Sequence, residues 1–134
     1  MVTGNKFTRR HRLLLPSDYK YVFNQPFRSS DKLLTILAKY NPDTATPRLG
    51  LAVAKKSVKT AVHRNRIKRL AREFFRLNQY KIACADYVLL VRPGIDKMDN
   101  QVITQSISRQ LNYLRKKLTN TDRKSTRLNK SGKK

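Results

Sequence analysis

The sequence predicts an α/β fold: a small α+β sandwich in the order α-β-β-β-α-β-α, with helices laid against one mixed sheet. Two observations carry that prediction. Apolar residues recur at helical spacing around Tyr19, Ile67 and Ile107, whereas the segments between them are short apolar runs of strand length. Turn-forming residues stand at the borders of those runs, at Asn41-Pro42-Asp43, Pro47 and Arg92-Pro93-Gly94.

The first helix opens at Pro16-Ser17-Asp18, with Ser17 expected as its cap and Asp18 favourable to the helix dipole. Tyr19, Val22 and Phe23 give it one apolar-aromatic stripe, and it ends before Pro26. Leu33 to Tyr40 and Leu49 to Lys55 read as strands joined through Asn41–Pro47, a pattern expected to pair as an antiparallel hairpin. A further strand belongs to the predicted order, but the pattern does not place it. From Ala61 to Gln79 the period becomes helical, and Ile67, Leu70, Ala71, Phe74 and Leu77 fall within an arc about 120° wide. Tyr87 to Val91 is a compact apolar strand. A last helix is expected from Asp99 to Leu118, capped by Asp99 and burying Ile103, Ile107, Leu111, Leu114 and Leu118. One domain is expected over residues 1–118, followed by a basic tail, 119–134, without apolar periodicity and expected to be disordered. The strands at Leu49 and Tyr87 are linked through the central helix as a parallel crossover, for which a right-handed turn is the default in about 98% of cases.

The chain of 134 residues carries 31 Lys plus Arg against 8 Asp plus Glu, a formal charge of +23. Such a balance implies a polyanionic partner. No stretch approaches the roughly 18 to 20 apolar residues of a membrane span, and the N-terminal residues lack the apolar run of a secretory signal. Cys84 is the single cysteine, so neither an internal disulfide nor a thiolate zinc cluster is available, which suits a reducing cytoplasm.

The charge is concentrated in one place. Between Asp43 and Glu73 there is no acidic residue, yet the interval holds Arg48, Lys55, Lys56, Lys59, Arg64, Arg66, Lys68, Arg69 and Arg72. On the central helix Arg64, Lys68, Arg72 and Arg76 repeat at every fourth residue, Asn65 and Arg69 flank them, and Arg66 projects to one side. Like charges at that spacing destabilise a helix by a few tenths of a kcal/mol per pair. A phosphate-rich partner removes the repulsion and releases counterions. Arginine adds a planar fork for phosphates and base edges, and Asn65 can both donate and accept at a ribose or base. The competing reading is a solvated basic face on a core helix.

Tyr19 and Phe23, with Thr35 and Leu37 as a floor, suggest a second surface, since aromatic rings in a basic groove suit single-stranded nucleic acid. Against this, such a stripe taken alone is more often core than ligand site. Catalytic groups are sparse. His11 and His63 have no neighbouring acid in sequence to complete a general acid–base pair. Asp96 and Asp99 are accounted for by loop solubility and capping, and Cys84 as a packing residue. Gly50 to Ser57 imitates a phosphate-binding loop, but Lys55 stands where the second glycine is required. The chain by itself does not read as a nuclease.

The segment GLAVAKKSVKTAVHRNRIKRLARE, Gly50 to Glu73, resembles the signature of the bacterial ribonuclease P protein subunit. RNRIKRL, Arg64 to Leu70, matches that family's arginine-asparagine-arginine motif. Phe7, the Arg12-Leu13 pair, PSDYKYVF at Pro16 to Phe23 and the strand at Leu34 to Leu37 extend the resemblance over most of residues 7–118. It implies a division of labour: a large RNA removes the 5′ leader of precursor tRNA with magnesium that the RNA uses, and the protein assists without a cofactor of its own. Arg64, Asn65, Arg66, Lys68, Arg69 and Arg72 would dock on the catalytic RNA. Tyr19, Phe23, Thr35, Lys55 and Lys56 would line a cleft for the single-stranded leader. Tyr19 stands where many members have Phe. The resemblance also implies a left-handed crossover between the strands at Leu49 and Tyr87, against the general default, and it implies neither a membrane nor an obligate protein partner. The rival readings are a structural RNA-binding protein of the ribosomal kind and a nuclease that works without RNA.

Overall fold

The computed structural model describes residues 12–13, 15–43 and 46–131, with side chains described as far as residue 119. Its elements are α1 (Pro16–Phe23), β1 (Phe27–Ser30), β2 (Leu34–Lys39), β3 (Arg48–Ala52), α2 (Ala61–Asn78), β4 (Asp86–Val91), a 3₁₀ turn at Ile95–Lys97 and α3 (Asn100–Ser131). The expected order holds. The basic N-terminal segment, including Phe7 and His11, lies outside the described residues.

Helix α1 starts from Leu15, whose N–H donates to Asp18 Oδ2 at 3.1 Å. Ser17 is therefore inside the first turn and not the cap. Pro16, with its φ already helical and no N–H to satisfy, takes the first helical position and moves the boundary ahead of Ser17. At the other end Gln25 adopts φ 59°, the left-handed turn that swings the chain into β1.

The four strands lie in the order β1-β2-β4-β3. The hairpin expected between Leu33–Tyr40 and Leu49–Lys55 does not form. Strand β4 lies between them, antiparallel to β2 and parallel to β3. The reason is in β4 itself: its apolar run from Tyr87 to Val91 leaves no face for water, so it needs partners along both edges and layers over both faces. The true hairpin is β1–β2. Asp31 turns it, Oδ1 accepting the N–H groups of Leu33 at 2.8 Å and Leu34 at 3.1 Å. Strand β1 is the one the sequence pattern did not place, because FRSS has a single apolar residue and alternates between half-buried and exposed. Strand β3 stops at Ala52, so Lys55 and Lys56 sit in a turn beyond it, where the N–H groups of Ser57 and Val58 donate to the carbonyl of Ala54. Arg12 and Leu13 run parallel along the outer edge of β3, Leu13 N–H donating to Leu49 O at 3.1 Å, and shield that edge.

Register assigns the faces. Leu34, Ile36, Ala38, Tyr87, Leu89 and Leu49 point toward α2 and α3, where Ile67, Ala71, Phe75, Ile103, Ile107, Leu111, Leu114 and Leu118 complete the main core. The predicted stripe of α3 is buried throughout. On α2, Ile67 and Ala71 are buried and Leu70 and Phe74 pack half-buried against the core as expected, but Phe75 is buried more deeply than Phe74, and Leu77 is 58% exposed. The helix is rolled so that Phe75 meets the Tyr87 ring edge-on, with centroids 5.5 Å apart. The opposite sheet face carries a smaller core of Leu13, Val22, Leu37 and Val88 under α1.

Helix α3 does not stop at Leu118 but continues to Ser131, so the tail expected to be disordered has a helical backbone. Neither Pro nor Gly occurs between Gly94 and Gly132, and nothing in that stretch forbids the helix from propagating. Among the described residues, no helix is long and apolar enough to cross a membrane.

Candidate nucleic-acid interface

Burial of Ile67, Ala71 and Phe75 fixes the roll of α2 and turns its polar arc outward. Thr60 caps the helix, Oγ1 accepting from His63 N–H at 3.3 Å and touching His63 Nδ1 at 2.9 Å. On the outward arc Asn65, Arg69, Arg72, Glu73 and Arg76 line a surface pocket of about 420 Å³, and Arg12 closes it from the strand beside β3. Glu73 accepts from Arg76 at 2.6 Å. Arg72 is half-buried, and its affinity for its proton is lowered, first by burial and then by the charge of Arg12, with Tyr19 acting in the opposite sense. The half-buried Arg72 guanidinium beside the exposed Arg12 makes an electropositive recess.

The predicted docking residues therefore divide. Asn65, Arg69 and Arg72 share the pocket. Lys68 lies half-buried on the same helix, outside the pocket lining. Arg64 and Arg66 turn back into the protein. Arg64 Nη1 donates to the carbonyls of Val58 at 2.9 Å and Lys59 at 3.0 Å. Arg66 donates to Asn100 Oδ1 at 2.6 Å and to the carbonyls of Asp96 at 3.1 Å and Met98 at 3.0 Å. Arg12 is the residue that sequence reasoning missed. It stands in a run of N-terminal cations, and nothing in sequence distance announces that it meets α2.

The other predicted surface is built on α1. Tyr19 and Phe23, one helical turn apart, line a second pocket of about 500 Å³ with Pro16, Ser17 and Lys20. Phe23 is 49% exposed although aromatic. Tyr19 lies directly over Gly50: a Cβ built there would stand 2.7 to 2.9 Å from the ring's Cε2, Cζ and hydroxyl. The absent side chain is what lets the ring settle on β3. Thr35 is on the same sheet face as Leu37, but it is buried, and its Oγ1 pairs with Ser30 Oγ at 2.8 Å. Lys55 and Lys56 are exposed in the turn after β3. Thus Tyr19 and Phe23 come together, while Thr35, Lys55 and Lys56 lie outside their pocket.

A buried ion pair anchors this side. Asp86 is fully buried and takes both Arg48 Nε at 2.9 Å and Nη2 at 2.8 Å, with Asn41 Nδ2 at 2.9 Å. Arg48 also reaches Asp18 Oδ1 of α1 at 3.5 Å. Hydrogen bonding to Asp86 raises the Arg48 pKa further. Tyr21 adds a bond from its hydroxyl to the Tyr40 carbonyl at 2.5 Å, and Lys39 Nζ donates to Asn24 O at 2.6 Å.

The fold does bring an acid to His63, but not as a catalytic pair. Asp96 Oδ2 is 3.9 Å from Nδ1, beyond hydrogen-bonding range, and Nδ1 is already met by Thr60. The ribonuclease P family model matches residues 7–115. The chain belongs to the ribonuclease P protein family. It is 55% identical over 103 residues to the ribonuclease P protein component of Pasteurella multocida, a match spanning 77% of this chain and 86% of that one. With the component from Pseudoalteromonas translucida the identity is 52% over 103 residues, spanning 77% and 73% of the two chains. Among solved structures, the Staphylococcus aureus RNase P protein superposes with a TM-score of 0.73 at 25% identity, covering 78% of this chain and 94% of that one. The Thermotoga maritima RNase P protein gives 0.66 at 27% identity, covering 75% and 94%. The four-stranded mixed sheet with three helices is the fold shared with these ribonuclease P proteins, and the family places the chain in tRNA processing.

Proposed function

We propose that this ribonuclease P protein component works through two RNA surfaces. The α2 pocket docks on the catalytic RNA through Asn65, Arg69 and Arg72, with Arg12 opposite and Lys68 alongside. The α1 surface receives the single-stranded 5′ leader of precursor tRNA, with Tyr19 and Phe23 offering faces for stacked bases and Lys55 and Lys56 a cationic border. The observation that carries this reading is the adjacency of two unlike pockets: Tyr19 of the aromatic one lies over Gly50 of β3, and Arg12 of the arginine-lined one runs along the edge of that same strand. One body that holds both RNAs raises the local concentration of the leader beside the catalyst.

Cleavage is assigned to the RNA. Guanidinium, amide, phenol and apolar carbon at these surfaces suit phosphates and bases, and the one carboxylate among the lining residues, Glu73, is already paired with Arg76, which is a poor donor set for magnesium. Magnesium thus belongs with the RNA, and the chain alone is a non-catalytic subunit of an endoribonuclease acting in the cytoplasm. The test is a reconstitution of the full chain with its catalytic RNA. The complex is expected to bind precursor tRNA more tightly than mature tRNA, by an amount that the RNA alone does not show, and RNA-free protein is expected to leave precursor tRNA intact. Equal affinities would favour a scaffold of the ribosomal kind, and cleavage by RNA-free protein would overturn the assignment of catalysis.

A further inference from the structure

The two arginines that open the motif point away from the pocket the motif builds. Arg66 spends three hydrogen bonds on residues 96–100, where the 3₁₀ turn passes into α3. Arg64 spends two on Val58 and Lys59, at the end of the turn that carries Lys55 and Lys56. Every acceptor is neutral: four are backbone carbonyls and one is the Asn100 amide. Such bonds use the shape of the guanidinium fork and leave its charge uncancelled. They also reach in opposite directions from one helix, so together they clamp the two segments that flank α2 at its N-terminal end.

We infer that Arg64 and Arg66 are positioning residues. Arg66 sets the seat of α2 against the start of α3. Arg64 sets the turn bearing Lys55 and Lys56 relative to the motif helix. The phosphate-facing charge of the motif is then carried by Arg69 and Arg72 with Arg12. The inference rests on the reading of α2 as the RNA-docking helix, and it changes which of its residues touch RNA.

Lysine keeps the charge of Arg66 but cannot fork to three acceptors. The experiment measures binding of the full chain to the catalytic RNA across a salt series, with thermal melting of the free protein, for R66A, R66K, N100A and R69A. R66A and R66K are expected to weaken binding alike, roughly tenfold, and to lower the melting temperature alike, with the slope of log K against log salt unchanged. N100A removes the shortest acceptor without touching any charge, and a smaller loss of the same kind is expected. R69A is expected to lower the slope by roughly 0.7 to 0.9 with melting unchanged. Wild-type binding by R66K, a lowered slope for R66A, or wild-type binding and melting for N100A would each overturn the inference. An unchanged slope for R69A would instead overturn the docking face itself, while equal melting losses of R66A and R66K would still support the clamp.

Discussion

The α2 surface and the α1 surface lie side by side, yet they are built by opposite means. On α2 one helix supplies nearly the whole pocket: Asn65, Arg69, Arg72 and Arg76 follow from helical spacing once Ile67, Ala71 and Phe75 are buried. On α1 the helix has only eight residues, and its pocket depends on distant support. Gly50 makes room for Tyr19, and Arg48 joins Asp18 to the buried Asp86. The difference teaches that charge can be displayed by a single element, whereas a shaped aromatic recess needs several. Damage to support should therefore spread on the α1 side and stay local on the α2 side.

The largest expected effect tests that directly. Arg48→Leu leaves the buried Asp86 carboxylate with Asn41 as its remaining side-chain partner, and a loss of about 3 to 5 kcal/mol in unfolding free energy is expected. Denaturant unfolding reads it, and a change below about 1 kcal/mol would mean that the anchor is not shared as described. Gly50→Ala comes next. The new Cβ forces the Tyr19 ring off β3, and a loss of about 1 to 3 kcal/mol in preference for precursor over mature tRNA is expected, with affinity for the catalytic RNA kept. A parallel loss of both affinities would merge the two surfaces into one. Phe23→Ala, at a ring already half in water, should reduce the same preference by a similar or smaller amount while stability barely moves. If it unfolds the domain with no selective loss, the ring is core.

The smallest effect is expected away from both surfaces, at Asp31. Burial works against its charge, but the Ser106 hydroxyl, the N–H groups of Leu33 and Leu34 and the Gln110 amide outweigh burial and lower its pKa. A carboxyl depressed by folding stabilises the protein above the ordinary aspartate range, and that contribution disappears as pH falls through its lowered value. Asp31→Asn should therefore cost stability near neutrality, and the gap from wild type should close below about pH 4. Melting curves across pH check the sign, and a gap that widens in acid would show that the carboxylate is not favoured in the fold. Neither pocket should respond, since Asp31 staples the β1–β2 turn to α3 through Ser106 and Arg109.

How much of this was legible in the sequence follows from the same contrast. Helices α2 and α3, the strand at Tyr87 and the arginine face were readable because periodicity within one element carries them. The RNRIKRL segment announced the family. The parallel relation of β3 and β4 was readable as a crossover through α2, but the antiparallel pairing of β4 with β2 was not, because hydrogen-bond partners across a sheet are set by which strand must be buried on both faces. The roles of Arg64 and Arg66 were equally hidden: composition counts a guanidinium as charge, and only geometry shows it spent on carbonyls. Arg12 meets α2 through the chain's path along β3. Thr35 was correctly placed on the α1 face of the sheet, yet its hydroxyl is already taken by Ser30.

The central place of β4 has a consequence for biosynthesis. As the chain emerges from the ribosome, β1, β2, β3 and the whole arginine-rich helix precede the strand that both β2 and β3 must pair with. Asp31 waits longer still, for Ser106 arrives 75 residues after it. Before then the β1–β2 hairpin, the isolated helices and the contacts of Arg12, Leu13 and α1 with β3 have their partners, but the sheet itself closes only when β4 arrives. The nascent polycation is thus exposed before the fold that shapes it exists, and it is made within reach of the densest RNA surface in the cell.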